Sequence, residues 1–356
     1  MDSPGTVRRL SVAELDSSEY RDLVEQLFGA GCWDRHRRYY QWLFFDNPAA
    51  EPADTVPIYV CEHQGRFVGQ AALWPFDMLL RGHRRHGGWF IDLYILPEFQ
   101  RKGIGGLFHR AAAGDFDVVG SLGMTQGAYS LFKKGGWHMA GATTVYTHLL
   151  RPLRWLRKKA IGAVAENPMA VLHEQSLRGI ASGDGIEVSM VASAGELPES
   201  FDAGVIGDGV STRVCRTRPF LRWRYLENPF GRYSVARLRS RHYESFAVWR
   251  VVDIAGSRRA VLVDLMHVTT PPAEILRRFA NTLLGLMRAT RAEVFECRTS
   301  DRALLDALPR GLLSRTGQGM QFVYFERGGS TSMVPCEEWR LYPGDCDVDT
   351  FMVRLG

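Results

Sequence analysis

The sequence predicts an α/β chain in which mixed sheets are flanked by helices and one fold is laid out twice. Three observations carry that prediction. An apolar, β-branched and aromatic run, Trp89-Phe90-Ile91-Asp92-Leu93-Tyr94-Ile95, is followed by a glycine-bearing loop and then by helix-like residues from Leu107 onward. That is the order of a buried strand handing over to a helix. Short alternating strands recur around it at hairpin spacing. The pattern also occurs twice, because Trp42 with Asp46-Asn47-Pro48 stands in register with Trp223 and Glu227-Asn228-Pro229, and in each copy a hairpin-like pair follows.

Taken in order, Ser11 with Glu14 is a capping signal, and residues 20–28 show helical spacing of apolar side chains. A second helix is expected over 35–45, ending before Pro48, which disfavours helical backbone in the residue ahead of it. Strands over 58–62 and 67–73 flank Gln64-Gly65, a hairpin turn, and 78–80 reads as a short third strand. After the central strand and its helix come a strand at 118–122, a short helix at 128–134 and a closing strand at 143–148. Residues 151–159 are basic and amphipathic, the pattern of a docked linker at a module junction, and 179–185 is Gly- and Ser-rich loop. Strands restart at 187–191.

In the second copy, 233–238 and 245–251 form the hairpin and 261–266 matches 90–94, aligning Asp264 with Asp92. A long amphipathic helix over 274–290, a strand at 293–296 and a closing strand at 321–325 complete it. The boundaries expected are 1–150 for the first module, 151–185 for linker and loop, 186–330 for the second module and 331–356 for a C-terminal extension.

Composition narrows the function classes. A chain of 356 residues with 46% hydrophobic and 23% charged side chains is ordinary globular protein, long enough for two cores. Its net charge of +5 favours phosphate-bearing ligands without making a nucleic-acid-binding tail. The six cysteines are scattered, with no Cys-x-x-Cys and no histidine cluster, so reduced thiols in a cytoplasm and no metal site are expected. Without an apolar leader or a spanning segment, neither secretion nor membrane insertion is expected.

The chemistry sits in the glycine loop. Glycines where a strand meets a helix N-terminus leave backbone N–H groups pointing outward, with the positive end of the helix dipole behind them. That is a seat for a pyrophosphate, to which Arg101 and Lys102 add two cations. Gly103 and Gly105 are expected to let the main chain approach phosphate oxygens closely. The second copy has Thr269-Thr270-Pro271-Pro272-Ala273-Glu274 at the same place, without glycines and with two prolines that have no N–H to give.

The order Leu-x-Ile-x-Pro-x-x-Gln-x-x-Gly-x-Gly over 93–105 resembles the acyl-CoA signature of the GCN5-related N-acetyltransferase (GNAT) superfamily. Ala128-Tyr129-Ser130-Leu131-Phe132-Lys133-Lys134-Gly135-Gly136-Trp137 is similar to that family's Ala-x-x-Leu-Tyr-x-Lys-x-Gly-Phe segment. The resemblance covers residues 58–150 and implies a tandem GNAT fold whose second copy lacks the acyl-CoA loop. It implies acetyl-CoA as co-substrate, with Gln100, Arg101, Lys102, Gly103, Ile104, Gly105 and Gly106 at the pyrophosphate. Leu93, Tyr94 and Ile95 would offer main-chain groups to the pantetheine, and Phe132 would lie beside them. The family's thiolate-protonating tyrosine falls on Phe132, which has no proton to donate, so Tyr129, Ser130 or water is left for that role.

Acyl transfer also needs a group to take the proton of an ammonium. Asp92 is the candidate base, with a structural role as the alternative. His83, His86, His109 and His138 are further candidates for proton transfer, His109 being read as a solvated face residue. Aromatic residues ahead of the core, Trp33, Tyr39, Tyr40 and Trp42, together with Arg224, are the candidate acceptor-binding residues. The whole chain looks like tandem GNAT proteins that acetylate amino sugars on nucleotide carriers. Three readings follow: N-acetyltransfer to a small-molecule amine, the same fold with another donor or acceptor (an aminoglycoside, a protein amine), and a non-catalytic acyl-CoA-binding protein. A homodimer is left open.

Overall fold

The computed structural model describes residues 5–154, 185–203, 212–254, 256–329 and 332–346. Most of the basic linker (155–159), nearly all of the Gly/Ser loop (179–184) and the end of the C-terminal extension (347–356) lie outside them. The chain divides into two units: Met1–Gly141 with Gln321–Val334, and Ala142–Met320 with Pro335–Gly356. The boundaries read from sequence therefore need correcting, since the end of the second expected module belongs to the first unit.

In the first unit β1 (Thr6–Ser11), β2 (Thr55–His63), β3 (Arg66–Leu80), β4 (His83–Ile95), β5 (Val118–Leu122) and the end of β13 (Ser314–Glu326) lie side by side in that order. All neighbours are antiparallel except β4 and β5, which are parallel. The helices are α1 (Ser18–Phe28), α2 (Trp33–Phe44), α3 (Ile104–Asp115) and α4 (Gln126–Lys134). Local chemistry accounts for the joints. Ser11 and Glu14 exchange hydrogen bonds as a capping box, and Ser17 accepts from the Tyr20 N–H at the start of α1. Gln64 and Gly65 take φ of 52° and 74°, the left-handed pair that a two-residue hairpin needs. The strands expected at 67–73 and 78–80 are one 15-residue strand. Pro75 breaks the sequence pattern, but pairing with β2 ends at Ala72, so its missing N–H costs no bond to that neighbour.

In the second unit β7 (Glu187–Met190), β9 (Ser234–Arg239), β10 (Glu244–Ile254), β11 (Ser257–His267), β12 (Val294–Thr299) and the end of β6 (His138–Leu149) repeat the order, and β8 (Arg213–Val214) is a short extra strand. Here β11 and β12 are the parallel pair, and the helix Ala273–Ala289 stands where α3 stands in the first unit. It packs Phe279, Leu283, Leu286 and Met287 against Trp249 and Phe295, all at most 1% exposed. The fold is thus a tandem of one topology.

The closing strands are exchanged relative to expectation. Val118–Leu122 pairs with residues 322–326 of β13, whereas residues 144–149 of β6 pair with β12. Both strands alternate equally well, so alternation could not say which sheet each completes.

Candidate functional site

The central strand β4 is bulged. Ala72 pairs with Ile91 but Gln70 pairs with Tyr94, which leaves Asp92 and Leu93 opposite Ala71 alone. Asp92 takes up the extra residue in left-handed backbone, φ 48°, a conformation in which Asp is several-fold enriched over other side chains. Ahead of the bulge, after Trp89, β4 also parts from β5. Only Gly87, Gly88 and Trp89 pair with β5, and Ser121 and Leu122 pair with β13 instead. Asp92, Leu93, Tyr94 and Ile95 are accordingly only half-buried, and their main chain borders an open gap.

At the end of that gap lies the glycine loop. Gln100, Arg101, Lys102 and Gly103 are exposed, while Gly105 and Gly106 are half-buried and Ile104 anchors the helix in the interior. Arg101 (φ 62°) and Gly103 (φ 85°) both adopt left-handed backbone, which turns the chain into α3. The N–H groups of residues 101–105 meet no backbone acceptor among the described residues; the first one satisfied is Gly106, through Gly103 O at 3.0 Å. Gln100 Nε2 donates to Ile95 O at 3.0 Å and pins the loop to the strand. Lys102 Nζ sits 4.8 Å over the Phe99 ring, at the mouth. The two motif glycines do different work. A Cβ on Gly103 would meet open space, so its need is for positive φ; a Cβ on Gly105 would come within 2.8 Å of Leu131 Cδ2, so its need is for the close approach of α3 and α4.

A buried polar network lies beside the bulge. The Tyr20 hydroxyl donates to Gln70 Oε1 at 2.8 Å, and Gln70 Nε2 donates to the Tyr40 hydroxyl at 3.0 Å, all three residues being 0% exposed. Burial pushes the Tyr20 hydroxyl well above its ordinary range, with Tyr40 and then the Asp92 carboxylate adding to the shift. No sequence motif marks Tyr20 or Gln70. The signal that exists is a glutamine inside the apolar strand 67–73.

The remaining candidates separate. Tyr129 is half-buried on α4, and Ser130 spends its hydroxyl on Gln126 O at 3.0 Å. Phe132 is 1% exposed and packs at 4.2 Å on Trp137 and 5.5 Å from Phe90. His109 is not on a solvated face: it is buried against Trp137 and Phe325, and burial holds its imidazole below the ordinary range. His86 stacks on Phe116, 3.6 Å from Asp77, and His83 is exposed. His138 is half-buried against Tyr324. Of the candidate acceptor residues, Tyr40 and Trp42 lie in the interior beneath α2, with Trp42 facing Trp74, and Trp33 packs on Tyr20. Arg224 is 0% exposed and donates to Gly344 O, Cys346 O and the Tyr233 hydroxyl, so its guanidinium holds backbone together. Among the described residues no cluster of His, Cys, Asp and Glu could hold a metal ion, and no helix is long and apolar enough to cross a membrane.

Residues 12–115, which hold the bulged strand and the N–H cradle, match the sequence model of the acetyltransferase (GNAT) family. Residues 12–115 are a GNAT domain. Solved structures match along most of the chain. A probable N-acyltransferase from Enterococcus faecalis aligns at TM-score 0.59 and 14% identity, over 90% of this chain and 71% of its own. A GCN5-related N-acetyltransferase from Anabaena variabilis aligns at 0.56 and 12%, over 90% and 72%. The Saccharomyces cerevisiae N-myristoyltransferase with bound myristoyl-CoA aligns at 0.50 and 10%, over 97% and 86%. No curated protein matches the sequence.

The second GNAT-like unit has the same splay but fills it with its own chain. β11 pairs with β12 only through Leu262, and Val263, Asp264, Leu265, Met266 and His267 are then at most 2% exposed. Residues 339–346 lie in this groove. Thr299 Oγ1 donates to Leu341 O at 2.8 Å, Ser300 Oγ donates to Trp339 O at 2.5 Å, and the Tyr342 hydroxyl donates to Asp301 at 2.8 Å. Asp264, the counterpart of Asp92, is locked by Arg216 Nε at 3.1 Å and the Tyr225 hydroxyl at 2.8 Å, and Arg216 also pairs with Asp345. Missing glycines are therefore only part of why this unit has no donor cradle.

Burial, countered by Arg216 and reinforced by Asp264, pushes the Asp345 carboxyl up to about 7. A carboxyl raised on folding stabilises fully below its unfolded value and loses that contribution as pH rises through the folded one. Between pH 4 and 7, thermal melts of the wild type should therefore fall more with rising pH than those of Asp345→Asn.

Proposed function

We propose that the chain is an acyl-CoA-dependent N-acetyltransferase, moving the acetyl group of acetyl-CoA to the primary amine of a small molecule, a nucleotide-linked amino sugar, by direct attack in a ternary complex. One contrast carries the reading: the first unit keeps an exposed cradle beside half-exposed strand, whereas the second closes the same groove with residues 339–346. Unspent N–H groups at the start of a 12-residue helix favour an anion, and Arg101 and Lys102 strengthen the attraction for a pyrophosphate. Main-chain groups of Leu93, Tyr94 and Ile95 would pair with the pantetheine and polarise the thioester carbonyl. The amine arrives as an ammonium but must attack as a neutral nitrogen, so Asp92 takes one proton before the C–N bond forms, and a second N–H proton passes to water as the C–S bond breaks. Phe132 has no proton for the departing thiolate; Tyr129, or water, supplies it. The myristoyl-CoA bound by the yeast enzyme supports a CoA thioester as donor class. The six cysteines are free thiols, which supports a reducing cytoplasm.

The test is thiol release by the full chain with acetyl-CoA and a panel of nucleotide-linked amino sugars, aminoglycosides, polyamines and a lysine peptide. CoA should appear with the nucleotide-linked amino sugars. Release with another amine alone would keep acetyl transfer and replace the acceptor. Donor binding without release across the panel would overturn the enzyme and leave an acyl-CoA-binding protein.

A further inference from the structure

We infer that the second unit carries a separate binding site for a phosphorylated, hydroxyl-rich small molecule, a sugar phosphate in chemical class, in the cleft between the outer part of β6, the start of β13 and the helix Arg302–Ala307. The cleft holds about 780 Å³, inside the range in which small-molecule sites fall. Its makeup is unlike an apolar gap left by imperfect packing.

The floor is polar and fixed. Thr143 and Tyr146, 2% and 1% exposed, line it. Each is held from behind: Thr143 Oγ1 accepts from Met320 N at 3.0 Å, and the Tyr146 hydroxyl donates to Pro309 O at 2.7 Å. Ser314 lines the same wall, its Oγ 3.1 Å from the Tyr146 hydroxyl and 2.9 Å from His148 Nδ1. Hydroxyl groups already oriented by their neighbours lose little freedom on receiving a ligand's hydroxyls.

The rim supplies charge. Arg302, Arg310 and Arg315 border the opening, against the single carboxylate of Asp306. Asp306 is shared, 2.6 Å from Arg310 Nη2 and 3.7 Å from Arg302 Nε, one turn away on either side along the chain. The Arg315 guanidinium makes no hydrogen bond or ion pair among the described residues. Three guanidiniums over one carboxylate leave two positive charges, the balance that suits a phosphate dianion, and the guanidinium fork fits its oxygens. Hydroxyls below and excess guanidinium above specify a ligand with both features. The cleft is lined by residues of the second unit alone and shares none with the donor site of the first.

Calorimetry on the full chain tests it, with glucose 6-phosphate, glucose and inorganic phosphate as separate titrants. Glucose 6-phosphate should bind saturably and more tightly than either part. Arg315→Ala and Arg310→Ala should each weaken it by about tenfold, as expected for a lost charge-assisted hydrogen bond. Ser314→Ala should weaken glucose 6-phosphate more than phosphate, and all three variants should bind acetyl-CoA as the wild type does. No saturable binding of glucose 6-phosphate, or binding indifferent to Arg315→Ala, would overturn the site. Phosphate binding as tightly as glucose 6-phosphate would overturn the sugar half of the inference.

Discussion

Gly103→Val should weaken acetyl-CoA binding by about two orders of magnitude while the protein still folds. The residue sits at φ 85° with open space where a side chain would go, so no clash drives the effect. A β-branched residue held in left-handed backbone costs about 1–2 kcal/mol, and the local chain relieves that cost by turning away from positive φ. Turning re-aims the N–H groups on either side of it. Each hydrogen bond lost to a charged acceptor is worth about 1.5–3 kcal/mol, so losing two gives at least a hundredfold. Gly82 is the matched control, because it has φ 79° in the turn between β3 and β4 and equally open surroundings. Gly82→Val should lower the melting temperature by a similar few degrees and leave acetyl-CoA affinity alone. Equal affinities in the two variants, measured by calorimetry, would remove the cradle from the donor site.

That glycine also shows how much of the site could be read without coordinates. The order of strand, proline, glutamine and glycines marked the loop because each element of the motif is local: a ladder stopped, a helix begun, donors left over between them. Gly105 lies two residues further along in the same motif, yet the Cα hydrogen that stands in place of its side chain faces Leu131, 26 positions away in the chain. No local pattern distinguishes a glycine that must turn from one that must let a helix approach. The same limit hid the larger features. Which sheet β6 and β13 complete depends on chain crossing, and both strands read alike. Residues 339–346 have neither helical nor strand periodicity, and what they do is set by Thr299, Ser300, Asp301 and Arg216, contributed from far along the sequence. The duplication itself was legible, because it leaves Trp, acid, Asn and Pro in register and aligns Asp264 with Asp92. What became of the two aspartates was not. One is sealed by an arginine and a tyrosine; the other stands half-buried at a bulge.

Asp92→Asn should lower kcat by about a hundredfold or more, the usual share of a positioned proton acceptor, with KM for acetyl-CoA nearly unchanged. Asparagine is the informative replacement. Asp92 holds φ 48°, and Asn tolerates left-handed backbone as readily as Asp, so the bulge and the strand register should survive the change. The variant keeps shape and hydrogen-bonding reach and loses only the ability to accept the proton. An unaltered melting temperature with kcat lost would assign the effect to chemistry. If Asp92 served the bulge alone, Asp92→Asn would behave as wild type and Asp92→Val, which must strain at positive φ, would lose both stability and activity. Tyr20→Phe separates the network from the base. It breaks the 2.8 Å bond to Gln70 without touching a carboxylate, so a fall in kcat there much smaller than in Asp92→Asn would place Tyr20 and Gln70 in support of the bulge and Asp92 at the reacting amine.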